Sequence, residues 1–301
     1  MAAAAIILAG GDGTRLRSLT RRLAGDDRPK QFCALLGDQT LLEQTRRRAA
    51  RLVAPERTLL SVTLTHEPYY RPALADVPRR NVVAQPCNRG TAPAILYALT
   101  RLRSGGTGAD AVVLLPSDHY VSDDDALMAR VEGAMEAVRA RPDVVVLLGI
   151  EPDRPEVEYG WIEPAGLMLG RWASPLYGVR RFWEKPPLAD AQRLLREGCL
   201  WNSFVIVADP AVLEQRIRGA LPALAADFEP LRARVGTAWE DDAARFVYRR
   251  LAPSDFSRGV LQQRPEGLAV LPVSGLAWND LGEPTRVLAT QRGLMGSLAT
   301  A

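Results

Sequence analysis

The first half of the chain alternates short, nearly unbroken apolar runs with stretches of helical spacing. Segments 3–10 (AAAIILAG), 58–65 (TLLSVTLT), 81–86 (NVVAQP), 110–116 (DAVVLLP) and 143–150 (DVVVLLGI) read as strands. Between them, 40–53, 91–103 and 124–140 place apolar residues at helical intervals. The last of these opens on Asp124 and Asp125, acids that suit the positive end of a helix dipole. Strands lacking strict polar alternation are covered on both faces. Their alternation with helices predicts an α/β fold, a doubly wound and mostly parallel sheet. After residue 150 the pattern loosens. Segments 159–164, 177–186, 202–208 and 267–278 look like strands, 189–198, 222–235 and 241–251 look helical, and a last helix is expected near 284–291.

Composition narrows the class. At 301 residues, 47% hydrophobic and 24% charged, the chain is an ordinary globular one, able to bury a core without staples. No apolar run approaches the ~20 residues that span a bilayer. The opening MAAAAIILAGG has no basic region before its apolar stretch and reads as a first strand, not a targeting segment. A net charge of +3 argues against nucleic acid as a partner. The cysteines, Cys33, Cys87 and Cys199, are scattered and odd in number, and only His66 and His119 could join them. A zinc site or disulfide framework is not expected, and the compartment reads as reducing, hence cytoplasmic. Oligomeric state is left open, a homo-oligomer included.

Two features carry chemistry. The first is LAGGDGTRL (8–16), directly after the first strand. Gly10, Gly11 and Gly13 allow a sharp turn whose backbone N–H groups approach an anion, and Arg15 adds a fork suited to phosphate. Leu16 stands where a dinucleotide fingerprint would need its third glycine, and no Gly-Lys-Ser/Thr of a P-loop is present. The second is the lysine count. Of 38 basic residues only Lys30 and Lys185 are lysine. A compact ammonium and a planar guanidinium differ most in a tight site, so both lysines are candidate functional residues.

LAGGDGTRL followed by RPKQF (28–32) resembles the opening of the sugar-phosphate nucleotidylyltransferases, and within them of the bacterial mannose-1-phosphate guanylyltransferases. The resemblance continues through QPCNRGTAPAI (85–95), LLPSDHYV (114–121), YGWIEP (159–164), FWEKP (182–186), WNSFVIV (201–207) and WNDLGEPTRV (278–287). It implies a Rossmann-like nucleotidyltransferase fold with a sugar-binding subdomain, in a single domain 1–301. Residues 1–150 would form the nucleotide-binding half and 151–301 the sugar-phosphate-binding half. The implied reaction joins a sugar-1-phosphate, mannose-1-phosphate, to a nucleoside triphosphate, GTP, with release of pyrophosphate. By the same resemblance Ala9, Gly10, Gly11, Gly13, Thr14, Gln85, Gly90 and Thr91 would bind the nucleotide. Gly160, Glu184, Lys185 and Asn202 would bind the sugar phosphate, Arg15, Lys30 and Asp118 would act in catalysis, and Asp118 and Asp280 would hold Mg²⁺. Both lysines fall at the family's lysine positions. Trp161, Trp183, Trp201 and Trp278 lie in or beside these motifs and are read as packing residues, and His119 as structural.

Three stretches depart from the family pattern. Residues 24–28 lengthen the span between Arg15 and Lys30, Gly90 stands where guanylyltransferases commonly carry Asn, and 253–261 (PSDFSRGVL) differs before the last strands. They leave the base and the sugar open. A nucleotide-sugar-binding homologue without catalysis is the alternative, disfavoured by the presence of Arg15, Lys30, Asp118, Lys185 and Asp280.

Overall fold

The computed structural model describes residues 2–106, 108–169 and 175–299. In chain order they form β1 (Ala3–Leu8), α1 (Arg17–Ala24), α2 (Leu41–Ala49), β2 (Thr58–Thr63), α3 (Glu67–Ala73), β3 (Val82–Gln85), α4 (Thr91–Ser104), β4 (Ala111–Pro116), β5 (Tyr120–Val121), α5 (Asp124–Ala140) and β6 (Val145–Ile150). Then follow β7 (Gly160–Leu169), β8 (Leu176–Glu184), α6 (Leu188–Arg196), β9 (Leu200–Ala208), α7 (Pro210–Ala220), α8 (Pro222–Arg232), α9 (Glu240–Tyr248), β10 (Leu268–Val273), β11 (Trp278–Asn279) and α10 (Pro284–Ala299). No helix among the described residues is long and apolar enough to cross a membrane.

Several helix starts are set by side chains. Thr40 and Glu43 form a reciprocal capping box on α2, Asp123 accepts from Ala126 N at the start of α5, and Asp209 accepts from Ala211 N and Val212 N ahead of Pro210 on α7. The strands build a nine-stranded sheet in the order β3-β2-β1-β4-β9-β6-β10-β8-β7. Its first four strands are parallel, as the apolar runs predict. Beyond β4 the sheet is mixed. β9 runs antiparallel between β4 and β6, β10 is parallel to β6, and β8 and β7 are antiparallel additions. The start of β9 also pairs with β7, Trp161 opposite Trp201, so the far end of the sheet folds back on its middle.

Alternate residues of each strand feed two cores. Ala5, Ile7 and Val113 point to a cluster that includes α2, α3 and α5, while Ala4, Ile6 and Val112 point to one that includes α4, α7, α8 and α9. A third, smaller cluster of Leu16, Leu19, Cys33, Leu35, Leu41, Leu281 and Val287 joins α1, the 30s loop and α10 at one end of the sheet. Because β9 is antiparallel, its first residues lie at the edge where β6 ends: Asn202 pairs with Gly149 and Trp201 with Ile150. One edge therefore gathers loops from both halves of the chain.

Ile206, fully buried in β9, pairs with Leu114 of β4 and Leu147 of β6. Ile206→Ala is expected to cost about 2–5 kcal/mol, and chemical denaturation should show one shifted cooperative transition. A separate transition for residues 1–150 would contradict this account of the sheet.

Candidate active site

A cleft of about 370 Å³ opens at that edge. Gly10 and Gly11 enter it after β1, Gln85 at the end of β3, Gly90 and Thr91 after it, and Asp118 after β4; Gly160, Glu184 and Asn202 line the opposite side, and Asp280, just after β11, closes it. A smaller cavity of about 240 Å³ adjoins it, lined by Gly13, Thr14, Arg15, Lys30, Asp118 and Gly282. Asp118 lines both.

The glycine loop is held by side chains from elsewhere. Gln31, only 1% exposed, donates to the carbonyls of Ala9 (3.0 Å) and Gly11 (2.8 Å). Asp12 takes Asn88 Nδ2 at 2.8 Å and lies 3.2 Å from His66 Nε2, tying this loop to the one after β3. Lys30 is 8% exposed; its ammonium donates to the carbonyls of Asp280 and Leu281 and lies 3.2 Å from Asp118 Oδ2. The segment 24–28, which lengthens this span, is fastened by Arg21–Asp27 (2.6 Å) and Arg28–Asp26 (2.8 Å) ion pairs.

Asp280 is similarly surrounded. Its Oδ1 accepts from Tyr159 Oη (3.2 Å), Gly282 N (2.8 Å) and Arg286 Nη1 (2.8 Å). Burial alone would raise its carboxyl, but the facing His119, Lys30 and Arg286 outweigh it and hold the group below the usual carboxylate range. His119 lines the cleft with its Nε2 3.5 Å from Asp118 Oδ1 and its ring edge-on to Trp278.

Across the cleft, Gly160 pairs with Glu184 in the β7–β8 ladder. A Cβ at position 160 would lie 2.9 Å from Phe182 Cζ, 3.2 Å from Glu184 Oε2 and 3.3 Å from Asn202 Cβ, so glycine here lets two polar side chains close over the backbone. Burial pushes the Glu184 carboxyl up to about 7, with Asp255 and Glu158 adding repulsion against partial relief from Lys185 and Arg258. Lys185 sits at the rim, 3.4 Å from Glu158 Oε2, and the same oxygen accepts from Arg15 Nη1 at 3.0 Å.

Two of the three sequence departures meet in space. Gly90 has φ of +90° and its Cα faces the backbone of Ser254, whose carbonyl oxygen would be 2.3 Å from any Cβ. Ser254 N donates to Arg89 O, Ala92 N to Ser254 O, and Phe256 N to Thr91 Oγ1 at 2.8 Å. Segment 254–257 is thus strapped onto the loop after β3, and it brings Asp255 and Ser257 into the cleft. An Asn at position 90 has no room while this strap is in place.

The nucleotidyl transferase family model matches residues 4–295. The xanthan biosynthesis protein XanB of Xanthomonas campestris pv. campestris is 32% identical over 297 residues, 94% of this chain and 58% of that protein. The mannose-1-phosphate guanylyltransferase of Sinorhizobium fredii is 33% identical over 291 residues, 92% and 52% of the two chains. A solved structure from Thermus thermophilus, described as a mannose-1-phosphate geranyltransferase, superposes with a TM-score of 0.79 at 35% identity, covering 94% of this chain and 77% of that one. The chain belongs to the nucleotidyl transferase family. It spans 58% and 52% of the length of these two curated relatives.

Within this family frame, most residues singled out from the sequence converge. Gly10, Gly11, Gln85, Gly90, Thr91, Asp118, Gly160, Glu184, Asn202 and Asp280 line the cleft, and Gly13, Thr14, Arg15 and Lys30 the adjoining cavity. Two stand apart. Ala9 is buried behind the loop, its amide given to Ser61 O and its carbonyl to Gln31. Lys185 reaches the site only at the rim, through Glu158. Trp161 and Trp201 pack in the core and Trp183 lies under Arg181, whereas Trp278 is on the cleft wall. Gln31, Glu158, Tyr159, Asp255 and Arg286 went unassigned in the sequence. Gln31, Tyr159 and Arg286 stand inside quoted motifs, but nothing in their spacing shows what they hold.

Gly90→Ala is expected to cost about 2 kcal/mol or more, since both φ and the Ser254 contact oppose a side chain. Thermal unfolding beside an exposed-glycine control such as Gly37→Ala should show the difference. A neutral Gly90→Ala would mean that the strap is loose.

Glu184 gives a pH-dependent prediction. A carboxyl whose folded pKa exceeds its unfolded value holds a proton the unfolded chain has released. Its stability cost therefore appears as pH rises from the ordinary glutamate range to about 7 and is complete above it. Glu184→Gln should leave stability nearly unchanged at about pH 4 and raise it by about 1–3 kcal/mol at about pH 8. Equal effects at the two pH values would place Glu184 in water.

Proposed function

We propose that the chain condenses a sugar-1-phosphate with a nucleoside triphosphate, the best-supported pair being mannose-1-phosphate and GTP, to give a nucleotide-sugar and pyrophosphate. The carrying observation is the meeting, at one cleft in a chain of this family, of a pinned glycine loop and two carboxylates, with Lys30 in the adjoining cavity and Lys185 at the rim. The names of the relatives support mannose-1-phosphate as the sugar substrate and the guanylyl group as the transferred one.

In this reading the base and ribose enter past Gln85 and Thr91, and the triphosphate lies along Gly10–Gly13 toward Arg15 and Lys30. The sugar meets Glu184 and Asn202, and Lys185 holds its phosphate. A phosphate oxygen of the sugar-1-phosphate attacks the α-phosphorus in line, and pyrophosphate leaves toward Arg15 and Lys30. No enzyme nucleophile is needed, so rate comes from holding two anions together and from fixed positive charge. Asp118 and Asp280 fit a hard cation such as Mg²⁺. Both carboxylates reach the cleft, and the hydrogen bonds on Asp280 fall on Oδ1. Among the described residues no third His, Cys, Asp or Glu completes a metal cluster, which suits an ion that takes its other ligands from phosphate and water. When bound, Mg²⁺ would neutralise phosphate charge.

Pyrophosphate release measured over four nucleoside triphosphates and several sugar-1-phosphates tests the reading. Turnover should be highest with GTP and mannose-1-phosphate, and Asp118→Asn and Asp280→Asn should each lower it at least ~100-fold at limiting Mg²⁺. A tenfold preference for another base or sugar reassigns the substrates, and near-normal turnover in both variants removes the metal assignment.

A further inference from the structure

Glu158 is absent from every role given above, yet it touches two of the residues the proposed function relies on. Its Oε2 accepts from Arg15 Nη1 at 3.0 Å and lies 3.4 Å from Lys185 Nζ. One carboxylate oxygen therefore serves a cation from the glycine loop and a cation from the end of β8. The backbone around it is fixed: Glu158 N donates to Glu156 Oε1, and Lys185 N donates to Tyr159 O. The side chain lies on the cleft wall and is 37% exposed, so it can swing away without unfolding anything.

We propose that Glu158 is a positioning residue that couples the two phosphate sites. This rests on the reading that Arg15 receives phosphates of the nucleotide and Lys185 the phosphate of the sugar. In the free protein the carboxylate holds both cations in the place of the substrates' anions. A phosphate arriving at either cation competes with Oε2. Because the same oxygen serves both, its withdrawal for the first substrate also frees the cation awaiting the second. The first substrate displaces Glu158; the second does not have to. Linkage then requires each substrate to strengthen the binding of the other by one common factor, set by how strongly Glu158 prefers its paired position. Two partly exposed ion pairs put that factor at about three- to tenfold.

The test is calorimetric titration of a sugar-1-phosphate, with and without a non-hydrolysable nucleoside triphosphate analogue, using the pair that gives the best turnover. The wild-type chain should bind the sugar phosphate about three- to tenfold tighter when the analogue is present. In Glu158→Gln each ligand alone should bind tighter by that same factor, and the mutual enhancement should vanish. Glu158→Asp, with its charge kept on a shorter arm, should retain part of it. Tighter binding on loss of a side chain is the reverse of what a purely structural residue would give. Weaker or unchanged binding of the single ligands to Glu158→Gln, enhancement that survives in that variant, or no enhancement in the wild type each overturns the proposal. Absence of turnover for every pair instead overturns the functional reading, and this inference with it.

Discussion

Lys30 carries a full positive charge into a position only 8% exposed, and the site is arranged around compensating it. Two backbone carbonyls and Asp118 share the ammonium, and these partners come from the end of β4 and from the segment before α10. Leaving such a charge without a partner would cost about 3–5 kcal/mol, so the three segments have to stay together. The small cluster of Leu16, Leu19, Leu281 and Val287 packs beside this junction and supplies the apolar support that a polar knot lacks. Asp280 is drawn into the same knot through Tyr159 and Arg286, and Arg286 reaches Glu156 at 3.0 Å. Segment 156–160 thus links the charge under the glycine loop to the residues lining the opposite wall.

What the sequence made legible follows from the range of each signal. The parallel strands β1 to β4 announce themselves by local apolar runs, and the glycine loop by composition. Three helices escaped. α3 contains Pro68 and Pro72, and α1 is mostly polar around the buried Leu19. α7 turns Glu214 inward against Arg103, which breaks its apolar stripe although Asp209 and Pro210 mark its start. The antiparallel insertion of β9 has no local signature, because pairing depends on which neighbours arrive and not on the strand's own residues. The same holds in the cleft. Residues meant to face a ligand could be named from motifs, whereas Gln31 and Glu158, which hold them, act through partners at least 20 positions away, and Arg286 ties Asp280 to the distant Glu156.

The divergent positions teach a related lesson. Gly90 and the 253–261 stretch look like independent departures along the chain, but they are the two sides of one backbone contact. With a side chain at 90 the strap could not lie where it does, and the φ of +90° at this position favours glycine as well. The shape of the cleft on this side is therefore a joint property of the pair, and a swap at either position alone would test strain first.

The place of β9 also constrains how the molecule can be made. During synthesis β4 and β6 leave the ribosome long before residues 200–208, yet these two strands are never neighbours; β9 lies between them. Until it is translated, β4 has one unpaired edge and β6, whose other neighbour β10 comes later still, has two, beside an incomplete hydrophobic layer. The centre of the sheet, where β4 and β6 are buried along their whole length, is thus closed only after residues 200–208 and 268–273 have been made.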